Sequence, residues 1–165
     1  MTKDKKPRRR PILVAVDFSD YSAAALRWAA KTADQLGSPL LVLHVVHDPE
    51  SAPGYYRRSK KLKKHLLRME EAAAEMMSDF LEQVGKKSPE LPTLQDLDTL
   101  LEVGLPVTRI LEVAERTKAT MIVMGSQGRT GLSHLLLGSK AAKVAQLAPI
   151  PVTIVKDAKL SAKTG

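Results

Sequence analysis

Residues 119–156, ATMIVMGSQGRTGLSHLLLGSKAAKVAQLAPIPVTIVK, contain the pattern that decides the fold. An apolar run over 119–125 leads into a glycine-rich segment, a helical pattern over 138–148 follows, and a second apolar run covers 151–156. Strands that read as solid apolar runs are buried on both faces, which is typical of parallel sheets covered by helices. The stretch therefore predicts a strand, a loop, a helix and a second strand parallel to the first.

The same alternation runs through the rest of the chain. Three further apolar runs are predicted strands, over 11–19, 39–47 and 96–103. Three more segments are predicted helices, over 21–37, 58–84 and 106–118. Gly37 is placed to end the first helix, and Pro106 stands at a favourable first position of the third. The chain as a whole therefore predicts an α/β fold built from right-handed strand–helix–strand units.

The predicted helix 58–84 carries an apolar stripe at spacings of three and four. The stripe consists of Leu62, Leu66, Met69, Ala73, Met76, Phe80 and Val84. Such a stripe is typical of a helix face packed on a sheet. The early turns are rich in Lys and Arg and the late turns in Glu and Asp, an order that opposes the helix dipole. We interpret the basic start as a solvated surface, with a flap that meets phosphates or an acidic partner as the alternative.

Length and composition predict one globular domain. The chain has 165 residues, of which 44% are hydrophobic, and it contains no cysteine, which excludes disulfides and thiolate zinc sites. No apolar run reaches the roughly 18 residues of a membrane span. The basic start, MTKDKKPRRR, is followed by too short an apolar run for a signal peptide. We therefore expect a cytoplasmic protein, since the lack of cysteine fits a reducing compartment.

The positive charge is concentrated at the start of the chain. The formal net charge is +8, and residues 1–10 hold six Lys or Arg and one Asp, so the other 155 residues carry only +3. We expect flexible tails over 1–10 and 158–165 around a folded domain over 11–157. The basic tail is interpreted as solubilising; the alternative is an arm that finds nucleic acid or another anionic partner.

Four of the nine glycines lie within GSQGRTGLSHLLLGSK, residues 125–140. A strand, a glycine-rich loop and a helix start together favour anion binding, because backbone N–H groups and the helix dipole both attract negative charge. Arg129 and Lys140 could add positive charge. Neither the P-loop pattern nor the G-x-G-x-x-G dinucleotide pattern is present. What stands is Gly125-x2-Gly128-x9-Gly138-Ser139, which we interpret as a site for phosphates.

This spacing resembles the nucleotide-binding motif of the universal stress protein family, in its ATP-binding branch. The stretches ILVAVDFSDYSAAAL and LLVLHVV resemble the first strand, acid and helix of that family and its second strand. Residues 119–156 resemble its closing half almost throughout, so that the likeness covers roughly 11–156. It implies an open, doubly wound, five-stranded parallel sheet of order 3-2-1-4-5 with helices on both faces. It also implies a stress-response regulator that forms homodimers through its last strand, 151–156.

The resemblance further implies roles for individual residues toward ATP, or toward AMP or ADP, with Mg²⁺. Ala15 and Asp17 match positions that line the adenosine, and the backbone of Leu40 matches the position that meets adenine. The ribose and phosphate loop is matched by Met124, Gly125 and Gly128. The triphosphate cradle is matched by Gly138, Ser139, Lys140 and Ala141. Three departures are notable: Lys140 stands where a small or β-branched residue is common, Ala141 lacks the hydroxyl of some members, and Leu105 stands where a capping acid is frequent.

Several alternatives stay open. Asp17, just past a strand end, suits a ribose hydroxyl or a metal ion, but could instead cap the following helix. Asp17 with Asp20 and Lys156 could mimic a receiver-like phosphoacceptor, although the third strand offers only Glu102 as its acid. An interaction module of the same family without nucleotide, a protein partner, and slow ATP hydrolysis or autophosphorylation are also compatible with the sequence. His44 is interpreted as a structural histidine.

Overall fold

A computed structural model describes residues 9–47, 60–128 and 137–156. The strands are β1 (Ile12–Ala15), β2 (Leu40–His47), β3 (Asp98–Gly104), β4 (Met121–Gly125) and β5 (Val152–Val155). The helices are α1 (Asp20–Leu36), α2 (Lys60–Lys87), α3 (Pro106–Thr117) and α4 (Ser139–Leu147). A short 3-10 helix, Pro92–Gln95, which the sequence analysis missed, precedes β3. Every predicted strand and helix is therefore present, with ends that differ by a few residues.

The five strands form one parallel sheet in the order β3-β2-β1-β4-β5, which confirms the predicted order. The chain adds β2 and β3 on one side of β1 and then crosses back to add β4 and β5 on the other side, so the topological switch point lies between β1 and β4. A receiver-like sheet has the order 2-1-3-4-5, and this alternative is therefore wrong. Glu102, its proposed third acid, forms an ion pair with Arg116 at 2.5 Å.

Two hydrophobic layers cover the two faces of the sheet. One layer packs α1 and α2 on side chains that include Ile12, Val14 and Val16. The other packs α3 and α4 on side chains that include Leu13 and Ala15. Because successive residues of a strand point to opposite faces, the solid apolar run of β1 supplies both layers.

Local capping explains where α1 begins and ends. Ser19 is its N-cap and accepts a hydrogen bond from the N–H of Ser22 at 3.2 Å. Gly37 ends the helix in the left-handed conformation, with φ of 60°, as the sequence predicted. At the start of α3, Pro106 follows Leu105, which makes no side-chain cap hydrogen bond.

Among the described side chains of the predicted α2 stripe, which leave out Leu62, Met76 differs from the prediction. Met77 is 4% exposed, whereas Met76, which the spacing had placed in the stripe, is 38% exposed. The other buried members include Leu66, Ala73, Phe80 and Val84. The helix also continues three residues past the predicted end, and its last turn contains Lys86 and Lys87. These lysines lie at the end of the dipole that favours cations, unlike the basic residues at the start.

The strands end at different heights along the carboxyl edge of the sheet. Pairing of β1 with β2 stops at Ala15 opposite Leu43, whereas pairing of β2 with β3 continues to His47 opposite Gly104. On the other side, β4 and β5 stay paired to Gly125 opposite Val155. The central strand is thus recessed between longer neighbours, which opens a crevice at the switch point. Within the described part of the chain, no helix has the length and apolarity to cross a membrane.

Candidate functional site

The candidate site lies in the crevice beyond the carboxyl ends of β1 and β4. Ala15 and Met124 are register partners on these two strands, and both side chains belong to the layer under α3 and α4. After Ala15 the chain turns into α1, and after Gly125 it enters the glycine-rich loop. In open α/β sheets, ligands bind in this position. The fold therefore brings four predicted site residues together: Ala15, Asp17, Met124 and Gly125.

Two hydroxyl groups hold the carboxylate of Asp17 in place. Its Oδ1 accepts hydrogen bonds of 2.6 Å from the Oγ of Ser19 and 2.6 Å from the Oγ of Ser22, and one of 3.2 Å from the Ser19 N–H. Ser19 and not Asp17 caps α1, so the alternative that made Asp17 the cap is wrong. Asp17 instead orients the capping serines, and they in turn fix its direction.

The other oxygen of this carboxylate faces the loop that follows β4. A Cβ atom added to Gly128 would lie 2.6 Å from Asp17 Oδ2. Any side chain at position 128 would therefore displace the Asp17 carboxylate. This contact joins Asp17, at the end of β1, to the glycine pattern that follows β4.

Gly125 has a different reason to be glycine. A Cβ atom there would lie 2.8 Å from both the backbone carbon and the carbonyl oxygen of Tyr21. This distance is too short for any side chain, and the obstacle is helix backbone that cannot rotate away. Gly125 is therefore required by the close packing of β4 against the first turn of α1.

Gly138 is not required by the fold in this way. It is the N-cap of α4, with φ of −65° and ψ of 148°, a conformation open to any L-residue. A Cβ atom there would lie 3.4 Å from the carbonyl oxygen of Ser126 and 3.5 Å from the Cα of Gln127. The neighbours would have to give only slightly. Gly138 therefore lies in ordinary contact distance of the loop backbone at Ser126 and Gln127, beside the start of the helix.

Ser126, which the sequence analysis missed, connects the loop to two other elements. Its N–H donates to the Val155 carbonyl at 2.9 Å, and its own carbonyl accepts from the Gly138 N–H at 2.7 Å. The residue is only 3% exposed. Since both roles use backbone atoms, nothing in the side-chain pattern could have indicated them.

The first turn of α4 presents backbone donors and positive charge. The first N–H groups of a helix lack partners within it and lie at the positive end of its dipole. Ser139 and Lys140 are exposed, and this turn contains no acidic residue. Ala141 is 4% exposed and packs in the layer under α3 and α4, so a hydroxyl there would face the core. Arg129 lies outside the described residues.

Leu40 is not part of this site. It is the first residue of β2, pairs with Ile12, and is 1% exposed at the amino end of the sheet. The prediction that its backbone meets adenine is therefore wrong, because the crevice lies at the opposite end. Near the opposite end of β2, the Val45 N–H and carbonyl point toward the side where β1 has ended, since Leu43 bonds to Val16 on that side and alternate residues of a strand bond to the same neighbour.

The described residues contain no group of three or more His, Asp or Glu that could hold a metal ion by themselves.

Comparisons of sequence and of structure with known proteins indicate the same family. The model of the universal stress protein family matches residues 8–156. A universal stress protein of Thermus aquaticus is 35% identical over 150 residues, which cover 89% of this chain and 98% of that protein. The structure of UspA from Lactobacillus plantarum superposes with a TM-score of 0.72, 26% identity, and coverage of 91% of this chain and 99% of that one. A universal stress protein from Archaeoglobus fulgidus, solved in complex with dAMP, has a TM-score of 0.56, 26% identity, and coverage of 91% and 100%.

Proposed function

Because this chain belongs to the universal stress protein family, we propose that its crevice binds an adenine nucleotide, with ATP as the preferred ligand. The carrying observation is a pair of close approaches: Gly128 lies beside the Asp17 carboxylate, and the preceding Gln127 lies beside Gly138 at the positive end of α4. A nucleotide has the matching polarity, since its sugar hydroxyls donate hydrogen bonds and its phosphates are anionic. The structural relative from Archaeoglobus fulgidus in complex with dAMP supports the same class of ligand.

At the nucleoside end, three features support the proposal. The fixed carboxylate of Asp17 can accept a hydrogen bond from a ribose hydroxyl. Ala15 and Met124 give an apolar wall beside it, since both belong to the same buried layer. The backbone of Val45 offers a donor and an acceptor, the two groups that the edge of adenine requires.

At the phosphate end, backbone atoms do most of the binding. Gly138 is the N-cap of α4, so the first N–H groups of the helix follow it directly, and an anion beside them gains from the helix dipole. The Ser139 hydroxyl and the Lys140 ammonium lie on the exposed side of this turn. Arg129 is proposed as a further cation. Mg²⁺ would bind through the phosphates. The proposed role of the protein is that of a cytoplasmic stress-response regulator.

Asp17→Asn tests the direction in which the nucleotide lies. We expect its affinity for Mg-ATP to fall about tenfold or more, because a hydrogen bond to a charged group contributes roughly 1.5–3 kcal/mol. Its affinity for inorganic tripolyphosphate is expected to stay the same. Titration calorimetry with both ligands measures the difference. An equal loss for both would contradict the placement of the sugar at Asp17, and a wild-type protein that binds no adenine nucleotide would overturn the function.

We also propose that the protein is a homodimer in which two β5 strands pair antiparallel about a twofold axis. The strand is at the edge of the sheet, and its four residues are all half-buried. Exposed edges of apolar strands favour pairing with another strand. The Pro151 carbonyl accepts from Ile122 of β4, and the Val155 carbonyl accepts from Ser126, the residue after β4. The alternate residues Val152 and Ile154 therefore direct their N–H groups away from β4.

Ile154→Pro is expected to convert the dimer to a monomer, because it removes an outward N–H and keeps the bonds to β4. Light scattering should give twice the 18.0 kDa chain mass for the wild type and 18.0 kDa for the variant. Val152→Thr, which keeps the outward N–H, is the control. A variant that stays dimeric would show that β5 does not form the interface.

A further inference from the structure

Phe18 has a backbone conformation that is rare for an aromatic residue. Its φ is 66°, in the left-handed region, and Lys118 is the other non-glycine residue with positive φ in the described chain. Bulky residues avoid this region because the Cβ atom crowds the backbone. Phe18 stands directly between Asp17 and the N-cap residue Ser19. The unfavourable conformation is therefore located at the turn that aims the Asp17 carboxylate.

One imidazole contacts both neighbours of Asp17. The Nδ1 of His44 lies 2.8 Å from the Val16 carbonyl oxygen. Because a carbonyl only accepts, Nδ1 carries the hydrogen. The His44 ring also stacks on the Phe18 ring, with centroids 4.2 Å apart and planes at 28°. Phe80 of α2 meets Phe18 edge-on at 5.6 Å and 61°.

These contacts have a role beyond filling the core. Backbone held in an unfavourable region persists only where the surroundings fix it, and such positions cluster at ligand sites. Without the rings of His44 and Phe80, we expect Phe18 to return to negative φ. The peptide groups on both sides of Asp17 would then rotate. The carboxylate would then leave its place beside Gly128.

We propose that His44 and Phe18 form a positioning clamp for Asp17, which sets the affinity of the crevice for the sugar of the nucleotide. The inference rests on the proposed function and assigns two positioning residues that do not touch the ligand. His44 acts from the face under α1 and α2, while the next residue, Val45, lies toward the opposite layer. Two consecutive residues near the end of β2 thus have different proposed roles: His44 positions Asp17, and Val45 offers its backbone to adenine.

A double-mutant cycle tests the clamp. The variants are Phe18→Ala, Asp17→Asn and the double substitution, each titrated with Mg-ATP and with inorganic tripolyphosphate. Phe18→Ala is expected to weaken Mg-ATP binding about tenfold and to leave tripolyphosphate binding unchanged. In the Asp17→Asn background, Phe18→Ala is expected to change Mg-ATP affinity little, because its effect passes through the carboxylate.

Controls separate positioning from stability. Met77→Ala removes a buried side chain from the same layer and keeps both ring contacts, so it should lower the melting temperature but not the affinity. Phe18→Tyr keeps the ring and should recover most of the affinity. If Phe18→Ala does not fold, His44→Leu removes the same stacking and replaces it in the cycle.

The outcomes are distinguishable. Equal losses from Phe18→Ala in both Asp17 backgrounds, or equal losses for both ligands, would overturn the clamp while the proposed function stands. A wild-type protein that binds no adenine nucleotide would overturn both.

Discussion

Gly138→Val is expected to abolish nucleotide binding and to leave the domain folded. The valine side chain would occupy the space beside the start of α4, where the proposed phosphates approach the backbone. Its conformational cost is small because φ of −65° and ψ of 148° suit valine, and the added Cβ meets the Ser126 carbonyl at 3.4 Å. Replacing glycine by valine at an N-cap costs about 1 kcal/mol. A loss of at least a hundredfold in affinity corresponds to about 2.7 kcal/mol.

Titration calorimetry with Mg-ATP and thermal melts of the same samples measure the two effects separately. Ala145→Val is the matched control, because it adds a branched side chain to an exposed position of α4, away from its start. If Gly138→Val lowers the melting temperature but binds Mg-ATP as the wild type does, the glycine serves only the turn. The proposed phosphate cradle would then be wrong.

Gly125→Ala is expected to destabilise the fold strongly. A single added methyl group would lie 2.8 Å from the backbone of Tyr21, so α1 would have to move away from β4. Overpacking of this kind costs about 1–3 kcal/mol, and more where backbone must shift. For a domain of this size each kcal/mol lowers the melting temperature by about 2–4 °C.

Gly85→Ala provides the matched control for Gly125→Ala. Gly85 lies within α2, and among the described residues a Cβ there would meet the Gln95 side chain alone, at 3.8 Å. Alanine is favoured over glycine in a helix by about 1 kcal/mol, so this variant should be as stable as the wild type or more so. Chemical denaturation of both variants gives the comparison. Equal stability of the two would contradict the packing role of Gly125.

Gly125 and Gly138 show what could be predicted from the sequence and what could not. Their spacing indicated a phosphate loop, and the order of apolar runs and helices indicated the fold, because both depend on local patterns. The reasons that each position needs glycine differ, and they became visible only when Tyr21 and Ser126 were placed next to them. Sequence spacing records where a side chain is missing but not what occupies the space.

The errors have equally physical causes. Leu40 was misplaced because the solid apolar run 39–47 looks alike at both ends, and only its register with β1 shows where the crevice begins. Met76 and Met77 are adjacent, and a period of 3.6 residues allows either one to continue a stripe. Ser126 bonds to Val155 and Gly138 through backbone atoms, which every residue shares, so its side chain could not indicate this role. The left-handed turn at Phe18 opposes local preference and is stabilised by tertiary contacts.

The two hydrophobic layers support different parts of the crevice. The turn that carries Asp17 is supported from the layer of α1 and α2, through Phe18 and Phe80, whereas α4 and its first turn belong to the other layer. Substitutions in α2 therefore reach the turn of Asp17 first, whereas the layer of α3 and α4 contains both the first turn of α4 and the side chains of Ala15 and Met124 at the other end of the site. Under the proposed function, substitutions in α2 are expected to alter recognition of the sugar more than the contacts with the phosphates, and a protein engineer could follow the same division.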